Sequence, residues 1–354
     1  MLNAFPWDTP TETISPSAHS PHPRCSFSID ANREIALAEA NRLQAESLCI
    51  FSDGSGHQNM VGAAAVMLPQ RDGPTATEQR RHCLGTLSTH TVFEGEILGT
   101  ILALDIIQKP CHANNVAILL DNQAAIRALQ HRQPRPGQYL VKEFHRQLDS
   151  LLNRNPRLTV HIRWVPGHEG NEGNEAADEQ AKAAALGDCR PPIRRTRLLE
   201  RPLPTSSSAL RTSALRHMSE KWRCTWSTSP RGRRFAATID ESPPQPRLHR
   251  SLLDLPRRQA SILIQLRTGH VGLNHFLHRI KATDSPLCRR CRCPETVEHF
   301  LLHCQKYTTE RHDLRQSLRG TLTTRRLLGD KKARKALLTY VQRTERLPYY
   351  ADMS

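Results

Sequence analysis

Apolar positions change period several times along the first half of the chain. Leu48 to Phe51 is a short apolar run that ends in Ser-Asp-Gly-Ser-Gly at 52–56, the pattern of a buried strand entering a tight turn. Gly62 to Leu68 and Arg81 to Leu87 read as second and third strands, with Arg-Asp-Gly-Pro at 71–74 as a turn between them, so an antiparallel meander is expected. From Glu94 to Gln108 the period lengthens, and Ile97, Leu98, Ile101, Leu102 and Leu104 form a helical stripe. Gly95 and Gly99, one turn apart, would let that helix approach a sheet closely. Val116 to Leu120 is an unbroken apolar run, as in a strand buried on both faces, and it ends in Asp121-Asn122-Gln123. A short helix through Leu129 and a second helix over Gln138 to Leu152 follow. Leu158, Val160, Ile162 and Trp164 alternate with Thr159, His161 and Arg163, which predicts a half-buried strand, and Glu172 to Leu186 reads as an Ala-rich helix. The order of three strands, helix, strand, helices, strand and helix predicts one mixed α/β domain with a central sheet over 46–188.

The remaining chain is patterned differently. Residues 1–45 read as a disordered leader, rich in Pro, Ser and Thr, followed by an entry helix over Glu34 to Glu46. Residues 189–250 read as a Pro-, Arg- and Ser-rich linker with local helix near Ala209 to Thr225. Residues 251–354 read as a basic, mostly helical region, with helices in Leu252 to Lys281, Thr308 to Leu318 and Lys331 to Arg343. A chain of 354 residues suits two domains. No stretch of 18 apolar residues predicts a membrane span, and no secretory signal is visible, so an intracellular protein, cytoplasmic or nuclear, is expected.

Charge sharpens the division. The net charge is +16, but residues 189–354 carry 34 Lys and Arg against 13 Asp and Glu, which leaves 16 against 21 for residues 1–188. The second half therefore favours a polyanion, most simply nucleic acid, over the plainer alternative of a solvated Arg-rich tail. Of the ten Cys, four crowd together at 288, 291, 293 and 304. Cys288, Cys291, His299 and Cys304 have the outline C-x2-C-x7-H-x4-C within 286–305, which suits a closed, structural Zn²⁺ site, with Cys293 and His303 as alternative ligands. Arg289, Arg290, Arg292 and Lys306 surround it and would help grip nucleic acid.

Acids occupy informative places in the first half. Asp53 and Asp121 sit at the ends of strands that, as parallel neighbours, would project them at one sheet edge, where ligands of α/β sheets bind. Glu96 lies on the helix after the meander, and Asp178 follows the loop His168-Glu169-Gly170. Carboxylates brought together repel one another unless a cation intervenes, and Mg²⁺ prefers oxygen ligands and bridges to phosphates. Two such ions can clamp the attacking and leaving oxygens of a phosphodiester, with His168 assisting proton transfer or product release. Taken singly, Asp53 also suits a turn, Asp121 or Asn122 a helix cap, Asp178 a solvated helix face, and His168 a loop with no task.

The motifs SDGSG at 52–56, FEGEILGTILAL at 93–104, LDNQAAIRAL at 120–129 and WVPGHEGNEGNEAADEQAK at 164–182 resemble, in order, the type 1 ribonuclease H domain carried by non-LTR, LINE-like retrotransposons, particularly fungal ones. The resemblance implies a ribonuclease H-like mixed five-stranded sheet flanked by helices, and an acidic tetrad at Asp53, Glu96, Asp121 and Asp178 with His168 as the loop histidine. Glu94 is a nearby competitor for the second acid. It further implies two Mg²⁺ ions, with Mn²⁺ as a substitute, and hydrolysis of the RNA strand of RNA–DNA hybrids to 5′-phosphate and 3′-hydroxyl ends. Gly54, Ser55 and Asn122 are the positions expected to touch substrate, where a contact to 2′-hydroxyls would require RNA. LRTGHVGLNHFLHRI at 266–280 and the Cys/His run resemble the C-terminal motif of the same elements. No Tyr-x-Asp-Asp polymerase signature is present, so the chain looks like a detached part of such a reading frame whose partner would be a reverse transcriptase encoded elsewhere. The competing readings are a catalytically dead nucleic-acid-binding relic and an integrase-like DNA nuclease of the same fold.

Overall fold

The structure is a computed structural model that describes residues 10–15, 21–69, 77–107, 114–131, 133–167, 170–189, 198–239, 252 and 254–348. The chain divides into two compact units, Met1–Arg216 and His217–Ser354. No helix among the described residues is long and apolar enough to cross a membrane.

The first unit is built on a six-stranded mixed sheet. Its strands are β1 (Cys25–Ser28), β2 (Leu48–His57), β3 (Met60–Met67), β4 (Glu78–Thr86), β5 (Asn115–Leu120) and β6 (Thr159–Trp164), in the spatial order β1-β6-β5-β2-β3-β4. The first four in that order are parallel, and β2, β3 and β4 form the expected antiparallel meander. Helices α1 (Arg33–Glu46), α2 (Val92–Ile107), α3 (Gln123–His131), α4 (Gln138–Arg154) and α5 (Glu172–Ala185) cover it. Strand alternation splits the core in two. Leu48, Ile50, Val116, Ile118 and Leu120 share a cluster with α2, α3 and α4, while Cys49, Phe51, Ala117 and Leu119 pack with Ala40 and Leu43 of α1 and Ala177 of α5.

Two expectations are corrected here. The sheet has one strand more than expected, because part of the leader belongs to the domain. Cys25–Ser28 pairs with β6, and Arg24 donates to the backbone carbonyls of Asn155, Leu158 and Leu152. Buried Glu12 accepts from Gly137 N at 2.6 Å and from Ser207 N at 2.8 Å, tying two helix starts to the leader. Cys25-Ser26-Phe27-Ser28 alternates apolar and polar, but four residues are too short a run to stand out as a strand from sequence. The second correction concerns Ser-Asp-Gly-Ser-Gly, which is not a turn. β2 runs through it to His57, and the chain reverses at Gln58-Asn59, with φ of 46° and 66°. Glycine stands at 54 because α2 lies against the strand backbone, and a Cβ there would fall 2.2 Å from the Glu96 amide nitrogen. The turn expected at 71–74 lies outside the described residues.

Along the expected linker runs α6 (Ser207–Thr228), continued by α7 (Pro230–Thr238). The second unit then contains α8 (Arg257–Thr268), α9 (Asn274–Arg279), a π-helical turn (His299–His303), α10 (Thr308–Leu318), α11 (Thr324–Gly329) and α12 (Arg334–Arg343). Its core joins Ile262, Leu263 and Leu266 to Phe300, Leu327, Leu337 and Val341, with Cys288 and Cys304 in the same cluster.

Candidate active site and metal centres

The parallel register of β2 and β5 sets the first two acids side by side. Phe51 is paired with Leu119, so two residues further on Asp53 and Asp121 leave the ladder at the same level on adjacent strands. The third acid depends on α2. Gly54 and Gly99 let its backbone rest on β2, since a Cβ on Gly99 would stand 3.0 Å from the Asp53 carbonyl oxygen. This close approach delivers Glu96. Ligand atoms of Asp53, Glu96 and Asp121 all lie within 4.8 Å of one another.

The cluster is electrostatically uncomfortable. Asp53 is buried, and burial together with the charges of Asp121 and Asp178 pushes its carboxyl up to about 7. Glu96 is held well above the carboxylate range by burial and by Asp53 and Asp121. Its Oε2 is buried without a hydrogen-bond partner. An orphaned carboxylate oxygen facing two further carboxylates suits a hard divalent cation bound through oxygen.

Other residues hold this arrangement in place. Asn122 accepts from the amides of Ala124 and Ala125 at 3.0 and 3.1 Å, capping α3, and its side-chain amide donates to Glu96 Oε1 at 3.3 Å. Trp164 Nε1 donates to the Asp121 carbonyl at 3.0 Å. A Cβ on Gly167 would approach Asp121 Oδ2 to 2.6 Å, so only glycine leaves that carboxylate its place. Gly54 is buried and Ser55 half-buried on β2 beside the cluster.

Glu94, the other candidate for the second acid, stands outside the three-carboxylate group. It forms a capping box with Thr91, accepting from Thr91 N at 2.7 Å while the Glu94 amide donates to Thr91 Oγ1 at 3.3 Å, and its Oε1 accepts from Tyr139 OH at 3.0 Å. Asp178 lies outside the three-carboxylate group. It receives a 2.6 Å bond from Lys182 Nζ, one turn along α5, yet is close enough for its charge to raise Asp53. The spacing of four between Asp178 and Lys182 on one helix is the sequence signal for this pair. His168 lies outside the described residues.

The second unit assembles a different donor set. Cys288, Cys291, His299 and Cys304 offer ligand atoms within 4.8 Å of one another. A tight hairpin presents the first two, with Cys288 N donating to Cys293 O at 2.8 Å and Arg292 in the left-handed region at φ 57°. The π-helical turn sets His299 beside Cys304, whose amide donates to the His299 carbonyl at 2.8 Å. Proximity to the protein raises the Cys291 thiol, but bonds from the Gln305 amide, at 3.3 Å, and from Cys304 and Cys288 outweigh this and lower it. Three thiols and an imidazole in one cluster suit a soft, tetrahedral ion. Of the alternative ligands, Cys293 Sγ stands 3.2 Å from His299 Nδ1 outside the four-atom group, and His303 is exposed and 4.0 Å from Glu298.

The RNase H family model matches residues 45–186. The ribonuclease H of Jannaschia sp. is 32% identical over 148 residues, which is 38% of this chain and 89% of that protein. That of Proteus mirabilis is 29% identical over 148 residues, 38% of this chain and 85% of that protein. Among solved structures, RNase H1 of Halobacterium salinarum is 19% identical and aligns over 40% of this chain and 98% of its own, with a TM-score of 0.30. LC11-RNase H1, solved in complex with an RNA/DNA hybrid, is 17% identical over 40% of this chain and 97% of its own, with a TM-score of 0.31. On the near-complete coverage of its bacterial relatives, joined to a mixed sheet and helix α2 that bring three acids together, the chain belongs to the ribonuclease H family.

Proposed function

We propose that the first unit hydrolyses the RNA strand of RNA–DNA hybrids with two divalent metal ions, Mg²⁺ or in its place Mn²⁺. The observation that carries this reading is the meeting of Asp53, Glu96 and Asp121, with Glu96 Oε2 buried and unpartnered. These three residues would hold the ions, and Asp178 would join them by giving up its bond to Lys182. Held there, such ions would supply Lewis-acid activation of a water and charge neutralisation at the leaving oxygen. The chain's own contribution is placement. Asn122 orients Glu96, the Trp164 indole fixes the Asp121 backbone, and Gly54 and Ser55, on β2 beside the acids, are proposed to meet ribose 2′-hydroxyls. His168 is proposed to carry a proton at product release. The catalytic domain is proposed to span 46–188.

The second unit is proposed to hold structural Zn²⁺ through Cys288, Cys291, His299 and Cys304 and to bind nucleic acid through its basic surface. The conjunction of a ribonuclease H unit with a Cys/His unit on one chain supports derivation from a non-LTR retrotransposon, with a reverse transcriptase as partner. The test is cleavage of a labelled RNA–DNA hybrid with Mg²⁺, beside duplex DNA and duplex RNA, with Asp121→Asn as control. Cleavage of the RNA strand in the hybrid alone, lost in the variant, is expected. Folded protein that leaves the hybrid intact, or cuts duplex DNA equally well, overturns the proposal.

A further inference from the structure

Beyond residue 216, α6 presents apolar and aromatic side chains to solvent. Met218 is 64% exposed and Trp222 48%. A Trp side chain carries on the order of 200 Å² of largely apolar surface, so leaving half of one uncovered is costly unless something binds there. The face is also built rather than loose. Trp222 and Trp226, one turn apart, lie with ring centroids 5.4 Å apart, tilted by 35°. Phe235 of α7 meets Trp226 edge-on at 5.8 Å. The corner between the helices is fixed by Ser229, whose hydroxyl accepts from Gly232 N at 2.9 Å. A Cβ on Gly232 would collide with the Trp226 carbonyl at 1.7 Å, so the tight turn beneath the aromatic shelf depends on that glycine.

Cations rim the shelf. Lys221, Arg223 and Arg231 are exposed and form no ion pair among the described residues, and Glu220 is the one acid between His217 and Thr238. A neutral apolar partner would gain nothing from this rim, whereas a polyanion would. A duplex offers a side face of phosphates but keeps its base faces stacked. A single strand offers phosphates and free base faces together, which is the chemistry of an aromatic platform with flanking cations.

We propose that Met218, Trp222 and Trp226, with Lys221, Arg223 and Arg231, form a binding site for single-stranded nucleic acid, in which a base stacks on Trp222 and the cations take the neighbouring phosphates. The proposal deepens, and rests on, the reading of this chain as an enzyme of nucleic acids. Hydrolysis of the RNA in a hybrid leaves DNA without its complement, and this site would retain that strand on the same chain.

The experiment is fluorescence anisotropy of a labelled oligothymidylate titrated with the full chain at several salt concentrations, with hybrid cleavage measured in parallel. Loss of one base–aromatic stack predicts that Trp222→Ala weakens binding roughly 5- to 100-fold, while Trp222→Phe keeps most of the affinity. Lys221→Glu with Arg223→Glu weakens binding and flattens its salt dependence by about one to two units of slope. Unchanged affinity in folded Trp222→Ala overturns the site, as does a dimerisation that Trp222→Ala abolishes, since the face would then belong to a second copy. Equal loss of duplex binding in Trp222→Ala likewise overturns the single-strand assignment. The two readings fail separately. Hybrid cleavage with no Trp222 dependence of oligothymidylate binding sinks the site alone. Trp222-dependent binding without hybrid cleavage sinks the enzymatic reading alone.

Discussion

Replacing Asp53 by Asn should make the metal-free protein more stable at neutral pH. Asp53 ordinarily titrates near 3.8, and in the fold its carboxyl is pushed up to about 7. With the folded value above the unfolded one, the folded chain holds a proton that the unfolded chain has released. Stability is therefore intact below about pH 4, falls as pH rises toward 7, and stays reduced above it. A rise of about three units at about 1.4 kcal/mol each sets an upper bound of about 4 kcal/mol, and relaxation of the site around the charge brings the expected loss to about 2–4 kcal/mol. Asn keeps the shape and removes the titrating group, and it also relieves Glu96, which Asp53 helps to raise. The assay is urea unfolding of the full chain in chelator from pH 4.5 to 8, with amide exchange in β2 and β5 reporting on the first unit. The wild-type curve should fall with pH more steeply than that of Asp53→Asn. Adding Mg²⁺ at pH 8 should stabilise the wild type, by about 2.7 kcal/mol at a hundredfold excess over its dissociation constant, and the variant far less. Parallel pH profiles, or equal stabilisation of both proteins by Mg²⁺, would refute the assignment of Asp53 to a repulsive cation site.

Three other outcomes follow from the geometry. Glu96→Gln should abolish hybrid cleavage while leaving the fold intact, whereas Glu94→Gln, which turns one of the two oxygens accepting from Thr91 and Tyr139 into a donor, should cost about 1–3 kcal/mol of stability and keep activity, as denaturation and cleavage assays would show. Gly54→Ala should cost about 1–3 kcal/mol or more, because the new Cβ meets backbone atoms of α2 that cannot move aside cheaply, and cleavage should fall further than thermal stability suggests as Glu96 is displaced. In metal analysis of the intact protein, Cys288→Ser should lose the second unit's metal and Cys293→Ser should keep it; retention by Cys288→Ser would remove Cys288 from the ligand set.

The acids were legible in the sequence because their chemistry does not depend on the reason for the local chain path. Asp53 and Asp121 could be placed at one sheet edge from the apolar runs before them, and the register of β2 with β5 puts them there. Glycine was less legible, because it signals either a backbone angle or a close contact. At 52–56 the first meaning predicts a turn, while the structure shows the second, with the strand continuing under α2. The leader was opaque for a different reason. Its described strand is short, and another of its ties is a single buried carboxylate, Glu12, whose partners at Gly137 and Ser207 lie more than a hundred residues away. The Cys/His spacing picked out the four donors that the fold brings together, but the π-helical turn that brings His299 to Cys304 leaves no periodic signature in five residues.

Glu94 and Glu96 show how much of the site rests on one helix. Two residues apart on an α-helix, they point about 200° apart, so only one can face the carboxylates of the sheet. The other faces Thr91 and Tyr139, and by doing so it fixes where α2 begins. The capping box thus sets the helix register from one end, while Gly54 and Gly99 set its depth against β2. Together they hold Glu96 among charges that repel it, something no side chain of its own could achieve. The acid that would bind a cation thus lies on a helix whose start is fixed by an acid that binds none.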